Sequence, residues 1–197
     1  LLKKANPLME IYKEDSKNAY SVFLSSSVKL KANRKRILSS LPIHTISDGL
    51  LLKILKRNNI SNEDIEKIQE SVKVQKELLE NITQNYTFED EISELSKEDF
   101  EKAPLALFLA DIFYDKKIYY TYEEYLEHLN LTKKYEKNNK NYELSVNSNT
   151  TFKNIQILIC ENNWVMISKA NSPSIHFVIH HPKLRNAIEK FIPPVVE

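Results

Sequence analysis

Glycine occurs once in the 197 residues, at Gly49. The Walker-type phosphate loop and the G-x-G-x-x-G turn of dinucleotide-binding folds need several glycines whose backbone can lie against phosphate, so both classes are excluded. Cysteine also occurs once, at Cys160. That rules out an internal disulfide framework and any CxxC metal site, and it points to a reducing, cytoplasmic setting. Long apolar runs are missing too: the longest, Pro104 to Tyr114, is interrupted by Asp111 and falls short of the roughly 18 residues a bilayer crossing needs. No His-Glu-x-x-His, Gly-x-Ser-x-Gly or spaced carboxylate pair stands out. The chain starts at Leu1 with neither a charged-then-apolar signal region nor a tag, as expected of a piece of a longer protein.

What is present is an ordinary globular composition, 42% hydrophobic and 28% charged with a mean hydropathy of -0.45. The net charge of +1 conceals segregation. Residues 1 to 57 carry 12 basic and 4 acidic side chains, residues 58 to 115 carry 5 and 15, and residues 116 to 197 carry 11 and 8. Blocks of opposite sign either attract one another within the fold or address different partners.

Helix start signals recur through the first two thirds of the chain. Asn6-Pro7 opens an amphipathic segment to about Ser25, and a basic segment from Val28 to Leu41 stops before Pro42. Ser47 precedes Asp48 to about Asn58, with Leu50, Leu51, Ile54 and Leu55 inward. Ser61 with Asp64 opens the longest helix, Asn62 to about Thr83, whose Ile65, Ile68, Val72, Gln75, Leu79 and Ile82 fall on an a/d pattern. Thr87 with Asp90, Ser96 with Asp99 and Thr121 with Glu124 repeat the start signal, and Pro104 should break or restart a helix of that run. Leu105 to Tyr114, apolar nearly all round, is the expected central buried helix, and Tyr122, Tyr125, Leu126 and Leu129 give the next one an aromatic inner face.

Lys133 to Tyr142 reads as a loop or frayed helix end separating two halves. The period then changes to two. Phe152 to Cys160, Trp164 to Lys169 and Ser174 to His180 read as a three-stranded antiparallel meander, with Asn162 and Asn163 at the first turn, and Pro182 opens a short helix to Phe191. The expected fold is therefore mainly α, of α+β type. It is a helical bundle of about seven helices over residues 1–142, followed over residues 143–197 by a small three-stranded antiparallel sheet with a terminal helix.

Four constellations invite a function. Ile54, Leu55, Asn59-Ile60, Ile65 and Ile68 have helix-turn-helix spacing, but Glu63, Asp64, Glu66 and Glu70 would bring carboxylates to phosphates, which suits an ordinary helical corner better. Lys29, Lys31, Arg34, Lys35 and Arg36 could form a phosphate-contacting face, or equally dock onto the chain's own acidic middle. His176, His180, His181 and Cys160 can be drawn as a metal cluster or a Cys–His pair, although an alternating strand presents such polar side chains without any chemistry. The strands and the a/d helix offer dimerisation routes, and the oligomerisation residues expected are Ile157, Ile159, Trp164, Phe177 and Ile179, with nothing but Lys153 blocking the edge of Phe152 to Cys160.

The reading that results is a non-enzymatic, intracellular regulatory or adaptor protein working through protein–protein contacts. Its narrower form is the oligomerisation and effector-sensing region of a DNA-binding transcriptional regulator. A homodimer, another protein and DNA are the expected partners, with no membrane, no catalytic residues, no metal and no cofactor. Direct nucleic-acid binding through Lys29 to Arg36 is the alternative, and a small hydrolase or nuclease using His176 and His180 is the third reading.

Overall fold

The structure, a computed structural model, describes residues 30–109, 117–147, 155–169 and 175–191. The helix expected from Asn6 to about Ser25 lies outside them, as does Lys29. Among the described residues the expected bundle is not found. Instead there is a six-stranded mixed sheet, β1 (Arg34–Ile37), β2 (Phe88–Ser93), β3 (Tyr142–Asn147), β4 (Ile155–Cys160), β5 (Trp164–Lys169) and β6 (Ile175–Ile179), in the order β3-β2-β1-β4-β5-β6. Five helices accompany it: α1 (Asp48–Arg57), α2 (Asn62–Thr83), α3 (Lys97–Lys102), α4 (Tyr122–Asn138) and α5 (Pro182–Phe191).

Strands β1, β2 and β3 run parallel, and parallel neighbours need long crossovers. A 3-10 turn (Ile43–Thr45) with α1 and α2 makes the first crossover, and α3 and α4 make the second. The expected meander is present as β4, β5 and β6, joined antiparallel, but it does not stand alone: β4 pairs antiparallel with β1 and so continues the parallel half. That pairing also makes β4 an interior strand rather than the open edge the sequence suggested.

The basic segment Val28 to Leu41, expected as a helix, contains β1, and Thr87-x-x-Asp90, expected as a helix start, opens β2. The reason is charge. Register places Lys35 beside Glu89 and Arg36 beside Asp90, so the basic and acidic blocks meet rung by rung. Over the described part of Leu105 to Tyr114 there is likewise no helix: Leu107 donates its N–H to the Ile118 carbonyl, Tyr120 donates to the Leu105 carbonyl, and Ala106 bridges Tyr119. Lys133 to Tyr142 is mostly helix, since α4 continues to Asn138 and β3 begins at Tyr142.

Caps fix the helices where the sequence suggested. Ser47, Ser61, Ser96 and Thr121 each accept a backbone N–H from the third residue on, and Glu124 completes a capping box by accepting from the Thr121 N–H. Asn59 and Asn162 take left-handed backbone, at φ 53° and 59°, where the corner between α1 and α2 and the β4–β5 turn need it. Leu51, Ile54, Leu55, Ile65, Ile68, Tyr125 and Leu129 form one core with the chain around Ile43 and Ile46, which is an ordinary helical corner. A second cluster joins Leu79 and Ile82 of α2 to Phe88, Tyr142, Leu158, Cys160, Trp164 and Met166 on the same sheet face. The other face carries Ile37, Ile157, Ile159 and Val165, against which Ile188 of α5 packs.

Candidate functional site

Two features of the described residues ask for a functional reading: a buried polar network under the parallel half, and an exposed apolar strip at the β6 edge. The network begins with Asp90, wholly buried on β2. Arg36 grips it with two prongs, Nε to Oδ1 at 2.7 Å and Nη2 to Oδ2 at 2.8 Å, and Tyr142 donates its hydroxyl to Oδ2 at 2.7 Å. The Arg36 guanidinium lies 5.1 Å from the Phe88 ring centroid. Burial and the neighbouring Asp90 carboxylate push the Tyr142 hydroxyl well above its ordinary pKa, so it stays a donor.

His44 sits beside this group, enclosed by the rings of Tyr135 and Tyr142, each 5.4 Å away. Arg36 Nη2 approaches its Nδ1 at 3.0 Å. A guanidinium has no acceptor, so Nδ1 must be the acceptor and the ring proton is assigned to Nε2. That N–H points toward Asp90 Oδ2 at 3.8 Å, beyond hydrogen-bond reach, and has no hydrogen-bond partner among the described residues. Burial first, then the positive charge of Arg36, holds His44 well below its usual pKa, so the imidazole is neutral at physiological pH.

A second buried histidine is fully satisfied. His128 on α4 lies 2.7 Å (Nδ1) from the Tyr120 hydroxyl and 3.1 Å (Nε2) from Thr45 Oγ1, and Thr45 donates onward to the Pro42 carbonyl at 2.8 Å. With the Thr45 proton committed to Pro42, Nε2–H is the donor to Thr45 and Tyr120 donates to Nδ1. Desolvation lowers His128 to a pKa of about 3, against the opposing pull of the Pro42 carbonyl. A third tie joins the end of α1 to the start of α4. Arg57 meets Glu124 through Nε to Oε1 at 3.0 Å and Nη2 to Oε2 at 2.6 Å, and also donates to the Tyr119 carbonyl. Burial pushes the Glu124 carboxyl up, but Arg57 and the Thr121 N–H outweigh it and hold it below the ordinary range.

Apart from the Thr45–Pro42 and Thr121–Glu124 bonds within single turns, these contacts link one part of the chain to another. The network therefore positions secondary structure, and its one unspent group is the His44 Nε2 proton. Sequence reasoning singled out neither His44 nor His128. The available signal was local: His44 lies between Ile43 and the inward Ile46, and His128 lies three residues after Tyr125 on the inner face of α4.

The four described members of the basic run are not brought to one exposed face. Lys31 is exposed. Arg34 is buried and donates to the carbonyls of Ala32 and Leu30. Lys35 lies 3.0 Å from both Glu89 and Glu91, which raise its pKa despite burial, and Arg36 is committed to Asp90. Of the histidine group, His180 and His181 are exposed beyond the end of β6, while Cys160 is buried on β4 with its pKa raised by burial. Strand β5 stands between β4 and β6, and no group of three or more His, Cys, Asp or Glu among the described residues could hold a metal ion.

The expected oligomerisation residues divide. Ile157, Ile159 and Trp164 are core residues of this chain, whereas Phe177 is 61% exposed and Ile179 is half-buried on β6. Leu184 on α5 is also exposed, at 52%, and Val178 is 40% exposed on the opposite face of the sheet from Phe177. Among the described residues the other exposed large hydrophobics, Val74, Tyr119, Leu126 and Val146, are distributed over α2, the approach to α4, α4 itself and β3. The exposure of Leu126 corrects its expected place on the inner face of α4. No helix among the described residues is long and apolar enough to cross a membrane. Comparison with protein-family models, with curated proteins and with solved structures yields no match.

Proposed function

We propose that the chain is a non-enzymatic regulatory or adaptor module that works by protein–protein contact through the surface formed by β6 and α5. One observation carries this reading: Phe177, 61% exposed on the last strand of the sheet, and Leu184, 52% exposed on the helix that follows it, lie within eight residues of sequence, and Phe177 is on the sheet face on which that helix packs. Grouped apolar exposure of this kind is the usual mark of a contact surface. The buried ionisable groups support the same reading from the other side, because Arg36, Asp90, Glu124 and His128 are spent on holding elements together. An oligomerisation and effector-sensing region of a DNA-binding transcriptional regulator is the narrower form of the proposal, since such a region must supply a surface for assembly.

Lysine-directed cross-linking in cells tests it, because Lys183 and Lys190 are exposed on α5. Inter-chain cross-links from these two lysines are expected, and they should disappear in a Phe177→Glu/Leu184→Glu variant that keeps its circular dichroism spectrum. Absence of such cross-links, or their persistence in the folded variant, would overturn the reading.

A further inference from the structure

Strand β6 ends the sheet order, with β5 as its partner on one side and no neighbour on the other among the described residues. Edge strands ordinarily carry a charge, a proline or a bulge that discourages pairing with another chain. The five residues of β6 read Ile-His-Phe-Val-Ile and have none of these. The opposite edge differs: β3 carries the exposed Glu143.

Resting on the surface reading above, we propose that the partner is a second copy of this chain, joined by antiparallel pairing of β6 with β6 about a two-fold axis at Phe177. Charge and symmetry carry the choice of occupant. A two-fold axis sets each strand against its own reverse, so Ile175 of each copy faces Ile179 of the other, His176 faces Val178, and Phe177 meets its own image. A charged residue near the axis would face a like charge at cross-strand distance, which is destabilising. Over these five positions the strand is free of permanent charge and reads the same in size and polarity class at its two ends, Ile175 and Ile179. Phe177 and Ile179 share the sheet face of Ile167 and Val165, the face on which α5 packs through Ile188. An axis perpendicular to the sheet keeps both copies of that face on the same side. The two sheets then continue as one, and the two α5 helices flank the seam. Leu184 lies one turn before Ile188 on α5 and is 52% exposed in the single copy.

Light scattering or sedimentation of the whole chain over a dilution series through the micromolar range tests the proposal. A reversible monomer–dimer equilibrium is expected, with Phe177→Glu weakening it at least tenfold and leaving thermal unfolding of the monomer unchanged. A Phe177→Cys variant is the second test. Oxidation should convert it to a disulfide-linked dimer far faster than Leu126→Cys, which places an exposed thiol on α4. A strict monomer at high concentration, an undiminished dimer in Phe177→Glu, or equal cross-linking of the two cysteine variants would overturn it. A strict monomer whose Lys183 and Lys190 still cross-link to a different polypeptide would sink this proposal and leave the surface reading standing.

Discussion

At the scale of single residues, the two buried histidines make stability depend on pH in a direction the geometry fixes. His44 and His128 are both held below the ordinary imidazole value, mainly by burial, with Arg36 and Lys76 adding repulsion to a proton on His44 and Lys76 doing so for His128. The groups facing His44 are Arg36, Asp90, Tyr135 and Tyr142, and Tyr120 faces His128. In the unfolded chain both histidines titrate near 6.5, so the unfolded state binds protons that the folded state refuses. Stability is therefore complete above about pH 6.5 and falls as the pH drops through that value, until the folded state itself protonates, near 3 for His128. Each histidine should add a loss approaching about 1.4 kcal/mol per pH unit in that window. Urea unfolding between pH 7.5 and pH 4.5 (values in ~0.5 unit steps suffice) should show the combined slope, and His128→Gln should roughly halve it. A flat profile would show that the rings are not shielded as described.

At the scale of elements, β1 and β2 are joined by a charge ladder whose key rung is Arg36 with Asp90. Removing one member leaves the other buried and uncompensated, which costs about 3–5 kcal/mol, whereas replacing both with apolar groups of similar size is close to neutral. Asp90→Leu alone should thus lower the urea midpoint sharply, and adding Arg36→Met should recover part of the loss, the remainder being the cost of leaving the Tyr142 hydroxyl and His44 Nδ1 without those partners. If the double variant is as unstable as the single one, the pair is not the tie described. The same ladder explains which elements could be read from the sequence. Helices α1, α2 and α4 announce themselves because Ser47, Ser61 and Thr121 act through local chemistry alone, and β4 to β6 because Ile, Val and Phe recur with period two. Strand β1 is illegible in the sequence because Arg34, Lys35 and Arg36 in a row show no apolar–polar alternation, and the acids that Lys35 and Arg36 meet lie on β2, far along the chain. Thr87-x-x-Asp90 looks like a helix opening until Arg36, 54 residues earlier in the chain, claims the aspartate. The exposed Phe177 could be named from its strand, but the position of that strand at the rim depends on β4 pairing with β1, which no local pattern encodes.

At the scale of the whole molecule, the sheet joins a parallel half to an antiparallel half through β1, which lies between β2 and β4. Interior strands with both ladders complete open only when the whole domain unfolds, while rim strands open locally. Native-state hydrogen exchange should accordingly show β1 and β4 as the slowest amides, close to the global unfolding free energy, with β6 faster. The β6 amides should slow as protein concentration rises if the two-fold pairing forms. Uniform protection across all six strands at every concentration would contradict the topology.

The placement of β1 also bears on how the polypeptide is made. Its second neighbour, β4, lies more than a hundred residues downstream. During synthesis, β1 can gain β2 through the first crossover, and β3 can then add to β2, yet one flank of β1 stays bare until residues 155–160 leave the ribosome. A nascent chain stalled before that point displays Ile37 on a strand paired along one flank only, without Ile157 beside it. Translational pausing over residues 148–154 would therefore lengthen the period in which a chaperone is most needed.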